Sequence, residues 1–139
     1  MKTLRQTQIL SSLLYAGAGY FSAVALVHSL GLKVPGLFVY FNVPSYVYQD
    51  RIISFLAFGW AVFFFMAARK PERDLVRAIL LLGFVALVAL TVNTLLTDFK
   101  QFDEAIQPSH FFLILLALFV YWLALIVFSR EYIKQPKPD

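Results

Sequence analysis

Cysteine is absent from the chain. This excludes a disulfide framework, thiolate metal centres and thiol redox chemistry, each of which needs a sulfur nucleophile or ligand. It leaves the redox compartment undecided. Charge is also scarce, at 14% of 139 residues, and it is unevenly placed. The stretches 9–27, 52–68, 78–97 and 111–128 hold no Asp, Glu, Lys, Arg or His. Proton relays, ion pathways and coupled transporters are built from ionisable groups at membrane depth, where each costs about 2.5–3.5 kcal/mol. Their absence argues against a pump or coupled exporter, while channels lined by backbone or small polar groups stay open as a class. Also missing are a Ser-His-Asp arrangement, a glycine-rich phosphate loop, an HExxH motif and paired carboxylates at depth, so no catalytic residue is assigned. No internal repeat or low-complexity tract is present.

What the chain does have is apolar length. Hydrophobic residues make up 60% of it, a membrane composition. Crossing a hydrocarbon core of about 30 Å takes roughly 20 residues of helix, and four such runs consume nearly the whole sequence. The expected fold is therefore all-α: one integral membrane domain, an up-down bundle of four helices spanning about 8–30, 52–68, 75–97 and 110–128. There is no room for a separate soluble domain. The net charge of +4 sits in the short connections between spans. It points to the lipid bilayer rather than to nucleic acid.

Each span carries boundary signals. The first follows Lys2 and Arg5; a cleaved signal peptide fits that basic start, but the apolar run is longer than a usual signal core. Ser12, Ala16, Gly19 and Ala23 recur along it at four-three-four spacing, a small-residue face expected to pack against a neighbouring helix. Asp50 stands where an N-cap for the second span belongs, and Ala57 and Ala61 form a second small pair around Gly59 and Trp60. Pro71 stops this helix, and the short basic connection makes the second and third helices antiparallel neighbours. On the third, Gly83, Ala86, Leu90, Asn93 and Thr97 share one face and Asp98 ends it. Pro108 and Ser109 open the fourth, which ends in a polar, proline-containing tail expected to fray.

The segment 31–51 between the first two spans is unusual. Phe38, Tyr40, Phe41, Tyr46 and Tyr48 crowd into it, rings that favour the membrane interface. Pro35 and Pro44 bracket it, so it is expected to form either short interfacial helix or an irregular flap across one end of the bundle.

Orientation follows from the basic residues. Lys2, Arg5, Arg69, Lys70, Arg73, Arg77, Arg130, Lys134 and Lys137 lie on one side, and only Lys33, Arg51 and Lys100 on the other. Cytoplasmic termini are expected. The polar groups near the spans gather at the opposite, extracytoplasmic end: His28, Tyr48, Asp50, Arg51, Asn93, Asp98 and His110. In an up-down bundle the first and fourth helices are neighbours, so His28 and His110 lie at similar depth. Two histidines can ligate haem, or a divalent metal together with Asp50 or Asp98; the plainer reading has both at the interface, meeting helix ends. Neither a metal nor a cofactor is assigned. Asn93 is expected to point into the bundle and bond a neighbouring helix, since an amide facing lipid is unsatisfied. Arg51 is expected either to pair with Asp98 or to snorkel to headgroups.

An aromatic connection after the first helix, the Asp50-Arg51 start of the second, Gly59 within it and Ala67-Ala68-Arg69-Lys70-Pro71 at its end resemble the DoxX-like four-helix bacterial membrane proteins. The resemblance covers most of the chain through patterning and implies a bacterial inner-membrane protein, some relatives being subunits of quinone-linked oxidoreductases. It assigns no catalytic residue. Two functions are then expected: a noncatalytic accessory or assembly subunit packed against other membrane proteins, or a binder of a quinone or lipid under the flap, with Tyr40 and Phe41 among its walls and the polar cluster at its head. A haem-bearing redox subunit is a third.

Overall fold

A computed structural model describes residues 2–134 of the chain. The polar tail beyond Lys134, with its two prolines and Lys137, lies outside the described residues. Four helices account for most of what is described: α1 (Lys2–Ser29), α2 (Val47–Arg69), α3 (Arg73–Leu96) and α4 (Ser109–Lys134). A single 3-10 turn, Phe99–Gln101, lies between α3 and α4, and no strand occurs among the described residues. Each of the four helices is long and apolar enough to cross a membrane. Their outward faces carry bare hydrophobic side chains: Phe55 is 74% exposed and Leu96 81%. Water would penalise such a surface and hydrocarbon does not. The fold is an all-α membrane bundle.

Helix ends fall where local chemistry puts them. Gly31 takes φ +68°, the left-handed conformation that glycine enters without cost. The N–H of Leu32 then reaches the Val27 carbonyl at 2.8 Å and that of Gly31 the His28 carbonyl at 3.2 Å. This pair of bonds is the Schellman closure of a helix C-terminus. The second helix begins three residues before Asp50, at Val47, so Asp50 is not its N-cap. Gln49 takes over part of that role, its side-chain oxygen accepting from the Tyr46 N–H at 3.2 Å. Asp50 lies one turn further in and is buried. At the other end of α2, Pro71 follows immediately on the Lys70 cap, as a residue that cannot continue the ladder should.

The helices run up and down, with α1 packed along most of α2, α3 against α4 and α1 against α4, while α2 and α3 touch only narrowly. Small residues make the α1–α2 approach close: Gly17 and Ala18 on α1 face Ala61, Phe64, Ala67 and Ala68 on α2. A Cβ added at Gly17 would collide with the Phe64 ring and the Tyr121 hydroxyl. Side chains also bond backbone carbonyls across each close pair. Ser11 Oγ donates to Ala68 at 2.6 Å, Tyr121 Oη to Leu13 at 2.8 Å and Trp122 Nε1 to Leu80 at 2.9 Å. Such bonds matter in lipid because no water competes for the donor.

One expectation for α1 is overturned. Ser12, Ala16 and Gly19 are exposed and Ala23 only half-buried, so this small face looks out of the bundle rather than into it. A Cβ built at Gly19 would meet nothing within 4 Å. The inward small residues are the ones offset by a third of a turn, Gly17 and Ala18. The pair Ala57 and Ala61 on α2 does face inward.

Candidate functional site

The α1–α2 connection shapes one end of the bundle. It is a succession of turns rather than interfacial helix. Pro35 and Gly36 occupy the central positions of a tight turn closed by the Leu37 N–H on the Val34 carbonyl at 3.2 Å, with Gly36 at φ +86°. Proline first and a positive-φ glycine second is the arrangement a type II turn requires. The Tyr20 hydroxyl of α1 fastens this turn, donating to the Gly36 carbonyl at 2.8 Å. The chain is thereby reversed, and the rings that follow fold back onto the helices.

Phe38 enters first and is buried. Its ring stacks on the His28 imidazole with centroids 3.4 Å apart and planes 20° from parallel, and the Lys33 ammonium lies 4.4 Å from its centroid. Beside it sits Asp50, which binds three partners. His28 Nδ1 is 3.3 Å from Oδ1, and because a carboxylate only accepts, Nδ1 carries the proton. Lys33 Nζ lies 3.4 Å from Oδ2 and Ser45 Oγ donates to the same oxygen at 2.8 Å. Lys33 Nζ also contacts Ser45 Oγ. A buried carboxylate without such partners is very costly, and here both its oxygens are engaged. The arrangement is not a charge relay: Ser45 donates to Asp50 and not to His28, so the imidazole is not placed to take the hydroxyl proton.

Tyr40 and Phe41 turn to the other helix pair. The Tyr40 hydroxyl is 3.0 Å from Thr94 Oγ1 and donates toward the Leu90 carbonyl at 3.3 Å, while Asn93 Nδ2 donates to it at 2.8 Å. Its ring lies edge-on to Phe111 of α4 at 5.1 Å. Phe99, Ile106 and Phe111 form a second small core with Tyr40, Phe41 and Val43. One connection therefore grips both halves of the bundle, through Phe38 on α1 and α2 and through Tyr40 on α3 and α4.

Of the residues singled out from the sequence, the structure joins His28 with Asp50, and Tyr40 with Asn93. It leaves the rest apart. His110 is exposed and lies beside Phe41, with centroids 6.4 Å apart, and no contact links it to His28. Among the described residues no group of three His, Asp or Glu side chains is placed to hold a metal. Asn93 is exposed and bonds the connection, not a neighbouring helix, because Tyr40 brings an acceptor to it. Arg51 is exposed and forms no ion pair with Asp98 among the described residues; Asp98 instead caps the 3-10 turn, accepting from the Lys100 N–H at 3.2 Å. Tyr48 is exposed and stacks on Tyr46 at 5.8 Å, an amphipathic pair suited to a headgroup region. Sequence reasoning missed Lys33 and Ser45, the other two members of the Asp50 cluster. The signal for Lys33 was Gly31, whose helix-ending turn folds the chain back over His28.

Comparison with protein-family models, with curated proteins and with solved structures returned no match. The class defined by the fold and its apolar surface is a four-helix membrane protein.

Proposed function

We propose that this chain is a noncatalytic accessory or assembly subunit of a membrane complex, docking a helix of another membrane protein along the outer face of α1. The observation that carries this reading is the outward stripe of Ser12, Ala16 and Gly19. Small side chains facing lipid give up dispersion contacts, and they permit the close backbone approach on which helix pairing in membranes depends. The aromatic rings support the same reading. Phe38, Tyr40 and Phe41 occupy the mouth of the bundle themselves, so a quinone or lipid beneath them has less support than a flap that secures the bundle. The separation of His28 from His110 weighs likewise against haem held between them. The basic asymmetry of the connections supports an orientation with both termini in the cytoplasm, and the bacterial inner membrane is the location that the DoxX-like resemblance implies.

The test is association. Purified in mild detergent, the native chain should bring down a stoichiometric membrane polypeptide, and an Ala16→Cys variant should crosslink to the same polypeptide. Gly19→Leu should release that polypeptide at unchanged folded yield. A native chain that purifies alone, or an association indifferent to Gly19→Leu, would reject the proposal.

A further inference from the structure

An open feature lies on the α3–α4 helix pair, away from the small-residue face of α1. Between α3 and α4 runs a groove of about 430 Å³, within the usual size range of sites for small organic ligands. One wall is Phe84, Val88 and Val92, the other Phe112, Leu116 and Phe119. All six are exposed on the outside of the bundle. The lone hydroxyl in the lining, Thr91, donates to the Leu87 carbonyl at 2.7 Å, so nothing in the groove asks for a polar ligand.

The groove has a built beginning and end. Toward the middle of the helices, Trp122 closes it: its Nε1 donates to the Leu80 carbonyl at 2.9 Å, and a Cβ on Gly83 would come within 2.9 Å of its ring. Gly83 thus allows α3 and α4 to pinch together there. Toward the connection end, Tyr40 stands between the same two helices from the bundle side, hydrogen-bonded to α3 and packed on Phe111 of α4. Pinched at one end and wedged at the other, the pair cannot close over the gap.

We propose that this groove holds one acyl chain of a membrane phospholipid from the leaflet at the connection end. Length selects this occupant. The lining runs from Phe84 to Val92 on α3 and from Phe112 to Trp122 on α4, about 12 and 15 Å at 1.5 Å per residue. A hydrocarbon core of about 30 Å gives each leaflet about half of that. A partner helix, from another protein or a second copy of this chain, crosses both leaflets and would find the groove shut by Trp122 halfway. An acyl chain ends at the midplane, where the groove ends. This site is independent of the docking face on α1.

Trp122 also provides the readout. In a Trp60→Phe background it is the only tryptophan, and the full chain in mild detergent can be titrated with a phosphatidylcholine carrying dibrominated acyl chains. Quenching of Trp122 should saturate. Thr91→Phe, or Val88→Phe should the first variant fail to fold, should lose the saturable part by filling the groove. Tyr40→Phe, which keeps the wedge, should retain it, and Tyr40→Ala should lose it. Quenching that rises without saturation and is the same in both groove-filling variants overturns the site. A Trp122 shielded from bromolipid in a dimeric species assigns the groove to a second copy and also overturns it. Saturable quenching in Tyr40→Ala overturns the wedge.

Discussion

The hydroxyl of Tyr121 on α4 reaches the backbone carbonyl of Leu13 on α1 at 2.8 Å. It can do so because Gly17, one turn above Leu13, presents no side chain. Gly17→Ala puts a methyl group where the Phe64 ring and the Tyr121 hydroxyl already stand, and overpacking of this kind costs about 1–3 kcal/mol. Tyr121→Phe removes only the interhelical bond, worth about 0.6–2 kcal/mol in membrane bundles. Thermal unfolding in detergent should rank Gly17→Ala below Tyr121→Phe, and Tyr121→Phe below the native chain. An unshifted Gly17→Ala would contradict the close α1–α2–α4 approach.

Asp50 is the buried carboxylate around which His28, Lys33 and Ser45 gather. Asp50→Asn preserves its shape but removes the charge, leaving hydrogen-bonded partners poorly matched at about 1–3 kcal/mol. Lys33, a third exposed, can swing to solvent and moderate the loss. The expected signature is therefore local. Limited proteolysis of segment 31–46 should accelerate more than global unfolding does, and equal protection in the variant would show that the cluster does not hold the connection down.

The Tyr40 ring should contribute more to stability than the Asn93 contact made to its hydroxyl. Tyr40→Ala deletes a half-buried ring and three polar contacts; with full aromatic truncation at about 3–5 kcal/mol, a loss of about 2 kcal/mol is expected. Asn93→Leu removes one exposed hydrogen bond and should cost about 0.5 kcal/mol or less, the range of substitutions away from buried features. Parallel melting curves in the same detergent decide this. A larger loss for Asn93→Leu than for Tyr40→Ala would show that the amide, rather than the ring, organises this end.

The proposed orientation predicts a reporter pattern. Fusions of an enzyme active only outside the cytoplasm should be active after Lys33 or Lys100 and silent after Arg73 or Arg130. The nine-to-three distribution of basic residues is the reason, through the preference of such residues for the cytoplasmic side. An inverted pattern would move the Asp50 cluster and the aromatic connection into the cytoplasm.

By itself the sequence determined the number of membrane helices, their alternation and the end of the bundle at which polar groups collect. Length fixes the first, since an apolar run of more than about 20 residues has few other uses. Alternation fixes the others: residues flanking one end of the first span and the start of the second are carried to the same side, so His28, Asp50, Asn93 and His110 share an end whatever the packing. Which faces turn inward was not legible. In a soluble helix the buried stripe is the apolar one, but in lipid the outside is as apolar as the core, so Ser12, Ala16 and Gly19 read the same as Gly17 and Ala18. Only packing against Phe64 and Tyr121 separated them. The pairings were equally a tertiary matter. His28 meets Asp50 and not His110 because the turns at Gly31 and at Pro35-Gly36 reverse the chain and drive Phe38 down beside the imidazole, and Tyr40 reaches Asn93 because the same reversal leaves it over α3. Those turns rest on two glycines with positive φ, and the direction they give the chain exists only once the helices beneath are packed.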